Sequence, residues 1–364
     1  MKPGSKIRLI GYLLAVAGAL LLTALIVREG APRILAALAS ASWALPVVAA
    51  INSGRLLSDG IAWFVLVPKA NRPRFLTAIW IRWVGCCVHD FLPSARLGGD
   101  ILTARLATIC GGLSPTLAAG VAVVSMTVSV PMRILATVGT LFLLAEVTGQ
   151  HQLYFPSLVT GLTALIAVLG FYSVQRFGLF RLATPLVLRV KQLSKWGLLR
   201  EVGAKFDDTV QAIYRRPGAL LVCALMWTVS WLIGCLETWI GLFALGIQTS
   251  FIVALMVETA GQGVRSVLFI VPAGLGVFEG GTVMICNLLG IPSDIALALS
   301  LIRRAQEALF NIPGVVVWQL IEARRMLRRV EKEPGARSQN PGVRRSGVRR
   351  AVGRKSRRAQ DDAI

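Results

Sequence analysis

Long apolar stretches alternate with short polar ones along this chain, over residues 9–27, 39–67, 75–110, 116–145, 153–174, 218–245, 251–290 and 295–321. About 20 apolar residues in a helix cross the hydrocarbon core of a bilayer. The pattern therefore predicts an all-α polytopic membrane protein. Two stretches are too long for one helix, and both are interrupted. The first breaks at FLPSARLGGD, residues 91–100, and the second at IVPAGLGVFEGG, residues 270–281. Each runs from apolar residues through Pro and small residues to Leu-Gly and then an acid. Pro93, Leu97, Gly98 and Asp100 match Pro272, Leu275, Gly276 and Glu279. Non-helical backbone at membrane depth needs protein or a wet cavity to satisfy its polar groups. A matched pair of such breaks in two halves of a chain marks a transporter-type substrate site. The expected architecture is about six full crossings plus two re-entrant or broken helical hairpins, in pseudo-repeated halves.

Composition agrees with the pattern. Hydrophobic residues make up 55% of the 364, charged residues 16%, and mean hydropathy is +0.67. A soluble domain carries about a quarter charged residues. The first stretch, 9–27, is expected to be a retained helix. A signal peptide is the alternative, but its apolar core runs about 7–15 residues and ends at a small-residue site.

The net charge of +21 is uneven. Residues 323–364 hold fourteen Lys and Arg against four acids, and residues 174–217 hold nine against three. The positive-inside rule puts both regions in the cytoplasm, with the N-terminus carrying Lys2, Lys6 and Arg8. Residues 1–322 thus read as the membrane domain, with 174–217 as a basic cytoplasmic loop between halves. An interfacial amphipathic helix is expected in that loop. Residues 323–364 read as a disordered basic tail, with too few apolar residues to fold alone. Attraction to anionic lipid explains such a tail. No aromatics interleave with its arginines, so specific nucleic-acid binding is not expected.

Charged residues within the apolar stretches are the next feature: Arg55, Asp59, Arg82, Asp90, Glu237, Glu258, Arg265, Arg303, Arg304 and Glu307. Each costs about 2.5–3.5 kcal/mol at a helix centre if unpaired, so they must pair, face water or sit at the interface. Arg55 with Asp59, and Arg303 or Arg304 with Glu307, have local helical spacing. Glu258 and Arg265, seven apart, share a face without touching. Arg82 and Asp90 lack such neighbours and are expected to find partners across the bundle. Asp100 and Glu279 are placed to open the helices after the breaks, where acids favour exposed N–H groups.

No nucleophile with a base, no His-Glu-x-x-His and no Walker-type Lys-Ser/Thr is visible, so the chain is not expected to be an enzyme or to hold a cofactor. The six cysteines read as small apolar residues in helices, and with two histidines no metal site is expected.

LPSARLGGD with Arg105 behind it, VETAGQGVRSVLFIVPAGLGVFEGG, and SLIRRAQEALFNIPGVVVWQLIE together resemble the flippase-like family that includes the membrane domain of lysylphosphatidylglycerol synthases. The second half, with SWLIGCLETWIGLFALG, is most similar to the hopanoid-biosynthesis-associated branch. His89–Asp90 and the Pro-Met-Arg at 131–133 depart from the family pattern. The resemblance implies a bacterial inner-membrane protein that moves lipids between leaflets or helps hopanoids leave their site of synthesis. Its partners would be polar or anionic membrane lipids, possible hopanoids and hopanoid-pathway proteins. Substrate contacts would map onto Arg96, Gly98, Gly99, Asp100 and Arg105 in the first half. In the second they map onto Glu258, Arg265, Pro272, Gly274, Gly276, Glu279, Arg303, Arg304 and Glu307. The stretch after residue 322 is too short for the synthases' soluble transferase domain, so lipid aminoacylation is not expected. A non-catalytic scaffold for hopanoid enzymes is the alternative.

Overall fold

A computed structural model describes residues 32, 36, 39, 41–91, 97–149, 151–177, 196–267 and 276–332, with the side chains of 89–91, 97, 153, 196–202, 265–267, 277 and 325–332 excepted. The expected crossing over 9–27 lies outside these residues. So do residues 92–96 and 268–275, including Arg96, Pro272 and Gly274.

Ten α-helices are seen among the described residues: α1 (Ala44–Leu66), α2 (Phe75–Phe91), α3 (Leu97–Ile109), α4 (Pro115–Thr148), α5 (Tyr154–Phe177), α6 (Trp196–Tyr214), α7 (Pro217–Ala244), α8 (Phe251–Val267), α9 (Val277–Leu288) and α10 (Ser293–Lys332). The chain forms two compact units, residues 1–316 and 317–364. α4, α5 and α7 are long and apolar enough to cross a membrane, and α2 and α8 are shorter apolar helices. The polytopic all-α reading holds.

The two interrupted stretches are each a helix pair. α2 packs on α3, and α8 packs on α9. Asp100 and Glu279 both fall in the first turn of the second helix of their pair, as expected. Gly276, at φ 73°, caps the start of α9 in a left-handed conformation that costs glycine little. Gly85 serves a different purpose in the first pair. A Cβ there would overlap Thr103 Oγ1 and come within 3.1 Å of the Gly99 carbonyl. The missing side chain is what lets α2 and α3 touch.

α4 connects the layers. Ser114 opens it, its hydroxyl accepting from Leu117 N at 3.3 Å, with Pro115 in the first turn where no N–H is needed. The helix continues through Pro131 to Thr148, so that proline does not split the segment. We expect Ser114→Ala to cost about 1 kcal/mol, read as a lower unfolding midpoint in detergent.

α6 occupies the basic loop. It lays Val210, Ile213 and Tyr214 against the α4 surface around Gly120, and all three are buried. Tyr214 Oη donates to Gln175 Oε1 at 2.6 Å, and Gln175 Nε2 donates to Thr127 Oγ1 at 2.8 Å. These bonds tie α6, α5 and α4 together at one end. α1 lies along α7 over most of its length. A second apolar core joins α7, α8, α9 and the start of α10 through Leu242, Val257, Cys286, Leu297 and Leu299.

In the second unit α10 continues to Lys332, ten residues past the expected end of the membrane domain at 322. The stretch EARRMLRRVEK consists mostly of strong helix formers. Residues 333–364 lie outside the described ones.

Candidate functional site

Arg303, on α10, is buried among apolar helices. A guanidinium there needs a planar, charged acceptor. Glu258 on α8 supplies it. Arg303 Nη1 donates to Glu258 Oε2 at 2.6 Å and Nη2 to Oε1 at 2.8 Å. Thr238 Oγ1 on α7 donates to the same Oε2 at 2.8 Å and accepts from Arg303 at 3.0 Å. Gln262, one turn along α8, donates to Glu258 Oε1 at 3.2 Å. The pair is bidentate and further bonded, the condition under which a buried ion pair can offset its own desolvation.

Glu237, beside Thr238, is 1% exposed. Arg303 lies 3.9 Å from it on one side and Arg55 of α1 lies 3.9 Å away on the other. Among the described residues neither Glu237 oxygen has a donor in good hydrogen-bond geometry, the Gln306 side chain being its polar neighbour. Arg55, expected to pair with Asp59 on its own helix, thus reaches across to α7. Asp59 Oδ1 is likewise buried without a hydrogen bond.

Arg304 is rotated by about 100° from Arg303 on the same helix and serves a different partner. Its Nε donates to Glu279 Oε1 at 2.7 Å and its Nη1 to Glu307 Oε2 at 3.0 Å. The Glu279 side chain is wholly buried, and the guanidinium also lies over the Phe278 ring at 5.7 Å. Local spacing left Arg303 and Arg304 as alternatives for Glu307, and the structure selects Arg304. It could not separate the roles of the two arginines, because that depends on which helix each one faces.

Arg82, expected to find its partner across the bundle, finds it instead in the next helix, across the first break. Its Nη1 donates to Asp100 Oδ1 at 2.8 Å, tying α2 to the start of α3. The two breaks therefore share a device: the acid in the first turn of the second helix holds an arginine.

These groups line a cavity of about 1050 Å³. Its polar part carries Arg55, Asp59, Arg82, Asp100, Arg133, Glu237, Glu258, Arg303 and Glu307. Its apolar part comes from α4 and α5 and includes Leu135, Val138, Leu143 and Ala164. Leu135 is 65% exposed, and Leu162, Leu165 and Ile166 of α5 are exposed beside it. Such a face suits acyl chains.

Of the residues marked by the sequence, Gly99, Asp100, Glu258, Arg303 and Glu307 meet at this cavity. Glu279 and Arg304 sit behind it, linked through Glu307. Gly98 and Gly276 shape the helix starts, and Arg105 is exposed on α3 away from the lining. Arg265 lies on α8, and its side chain is outside the described residues. Sequence reasoning missed Arg133 and Trp227 as cavity residues. The signal for Arg133 was present: an arginine alone in the middle of a long apolar helix, where the family pattern is broken.

The comparisons complete the picture. No curated protein matches the sequence. The family model described as Lysylphosphatidylglycerol synthase TM region matches residues 9–314, most of the chain and all of the lining just described. The match and the paired helix breaks around one charged cavity lead to one conclusion: this chain belongs to the family of the lysylphosphatidylglycerol synthase transmembrane region.

Proposed function

We propose that this protein translocates membrane lipids between leaflets, without a nucleotide motor, in the handling of hopanoids or other polar lipids. The observation that carries this reading is the two-sided cavity. Charged groups line one part, and apolar residues of α4 with Ala164 of α5, among them the exposed Leu135 and Leu143, line the other. A lipid head needs a polar route across about 30 Å of hydrocarbon, while its tails can remain in the bilayer. The ion pairs supply that route without leaving naked charge in the membrane. Membership in the family supports a lipid-related role. The distribution of basic residues favours the inner membrane with both termini in the cytoplasm.

The test is transbilayer movement in proteoliposomes of labelled phosphatidylglycerol, phosphatidylethanolamine and a hopanoid. Asp100→Asn is the informative variant, because Asp100 is partly accessible and its amide can still accept from Arg82. We expect at least one lipid class to move with the wild type. The rate should fall about tenfold or more in Asp100→Asn, the equivalent of one charge-assisted hydrogen bond. No movement of any lipid by well-folded protein would overturn the proposal and favour an accessory role that recruits hopanoid enzymes.

A further inference from the structure

Most charges in the cavity are matched. Arg303 is held by Glu258 and Arg82 by Asp100. Arg133 is different. Among the described residues its guanidinium has no carboxylate within ion-pair distance. It rests on the indole of Trp227, 5.5 Å from the ring centroid. Arg82 lies over the same ring at 5.6 Å. Two guanidiniums thus gather on one aromatic residue inside the cavity.

The donors of this group are incompletely used. Arg82 is only 8% exposed, and its Nε has no acceptor, although Nη1 is bonded to Asp100. Among the described residues Trp227 Nε1 is buried without an oxygen or nitrogen acceptor, the Cys223 thiol being its only weak neighbour. Both residues line the cavity, as does Arg133. Buried donors without acceptors are costly, and Arg133, exposed to the cavity with only the longer-range fields of Asp59 and Asp100 opposing its charge, leaves its guanidinium open to a ligand. One kind of ligand answers both deficits: an anion with several acceptor oxygens on one centre.

We propose that Arg82, Trp227 and Arg133 form a binding site for the phosphate of a lipid headgroup, with Arg133 as its principal charge. The assignment rests on the lipid-handling reading of this cavity and names the headgroup chemistry it recognises. Phosphate matches the arginine fork in geometry and charge. The neighbouring apolar lining of Leu135, Val138 and Leu143 follows Arg133 along α4, so chains attached to that phosphate have a place to lie. Asp59 is the nearby carboxylate with an unsatisfied oxygen. It favours a headgroup that brings a hydrogen-bond donor beside the phosphate.

The test is equilibrium binding to the purified full-length protein by native mass spectrometry. Short-chain phosphatidylglycerol would be compared with diacylglycerol of the same chains and with glycerol phosphate. We expect phosphatidylglycerol to bind most tightly. Arg133→Gln should weaken it about tenfold or more and leave diacylglycerol binding unchanged. Arg133→Lys should recover part of the loss, since it restores charge without the fork. Trp227→Phe should weaken it less than Arg133→Gln, since the ring face remains and only the N–H is lost. Unchanged phosphatidylglycerol binding in Arg133→Gln would overturn the site. Equal weakening of both lipids would also overturn it, by showing a packing effect. Glycerol phosphate binding as tightly as the lipid would overturn the lipid assignment in favour of a soluble phosphate. Arg133-dependent binding in a protein that moves no lipid would confirm the phosphate site and refute translocation.

Discussion

Replacing Arg303 with Ala is expected to destabilise the protein by about 3–5 kcal/mol. The reason is what the substitution leaves behind. Glu258 would keep a buried charge, served only by Thr238 and Gln262. Glu237 would lose one of its two flanking guanidiniums. Unfolding in mixed micelles, followed by far-ultraviolet circular dichroism, reads the loss. Arg303→Met combined with Glu258→Leu is the decisive companion. Removing both charges of a buried pair is often neutral or stabilising, by up to about 4 kcal/mol relative to the pair. The double variant should therefore be well above the single one in stability, yet inactive in lipid movement because the polar part of the cavity is lost. A double variant as unstable as Arg303→Ala would show that packing around residue 303, rather than charge matching, holds α7, α8 and α10 together.

Gly85→Ala is expected to disable the first break with a single methyl group. The added Cβ overlaps Thr103 Oγ1 and crowds the Gly99 carbonyl, which itself accepts from Thr103 at 2.8 Å. α2 and α3 must then separate. Overpacking of this kind costs about 1–3 kcal/mol. The larger consequence is functional. The 2.8 Å contact between Arg82 and Asp100 spans the same helix pair and lies one turn from the clash. Its loss would turn Arg82 away from Trp227. We expect both lipid movement and phosphatidylglycerol binding to fall about tenfold or more. Thr103→Ala in the Gly85→Ala background removes the hydroxyl and should restore part of both. No restoration would mean that the backbone contact with Gly99 sets the helix spacing.

Much of this site was legible in one dimension. The two interruptions were visible because proline and glycine clusters break helical periodicity inside apolar stretches. Their acids were placed correctly at helix starts because such positions favour negative charge. Glu307 was assigned to Arg303 or Arg304 because three or four residues on a helix is a local distance, and only the structure chose Arg304. Arg55 shows where that logic stops. Asp59 is four residues away on the same helix, but Arg55 also reaches Glu237 on α7, which no spacing rule connects to it. Arg133 shows the opposite case. Its oddity was plain in the sequence, but the three-dimensional neighbours that give it meaning, Arg82 and Trp227, come from two other helices.

The sequence by itself determined that this chain is a polytopic helical membrane protein, with two broken helices and more charge than a bilayer tolerates unpaired. Hydrophobic run length and helix-breaking residues act locally, so they can be read locally. Which charge answers which was decided only by the tertiary structure. In a low-dielectric interior the partner of an arginine is the carboxylate that packing brings within a few ångströms. Helix packing alone joined Arg303 to Glu258, gave Arg304 to Glu279, and, among the described residues, left Arg133 facing the cavity without an ion pair of its own.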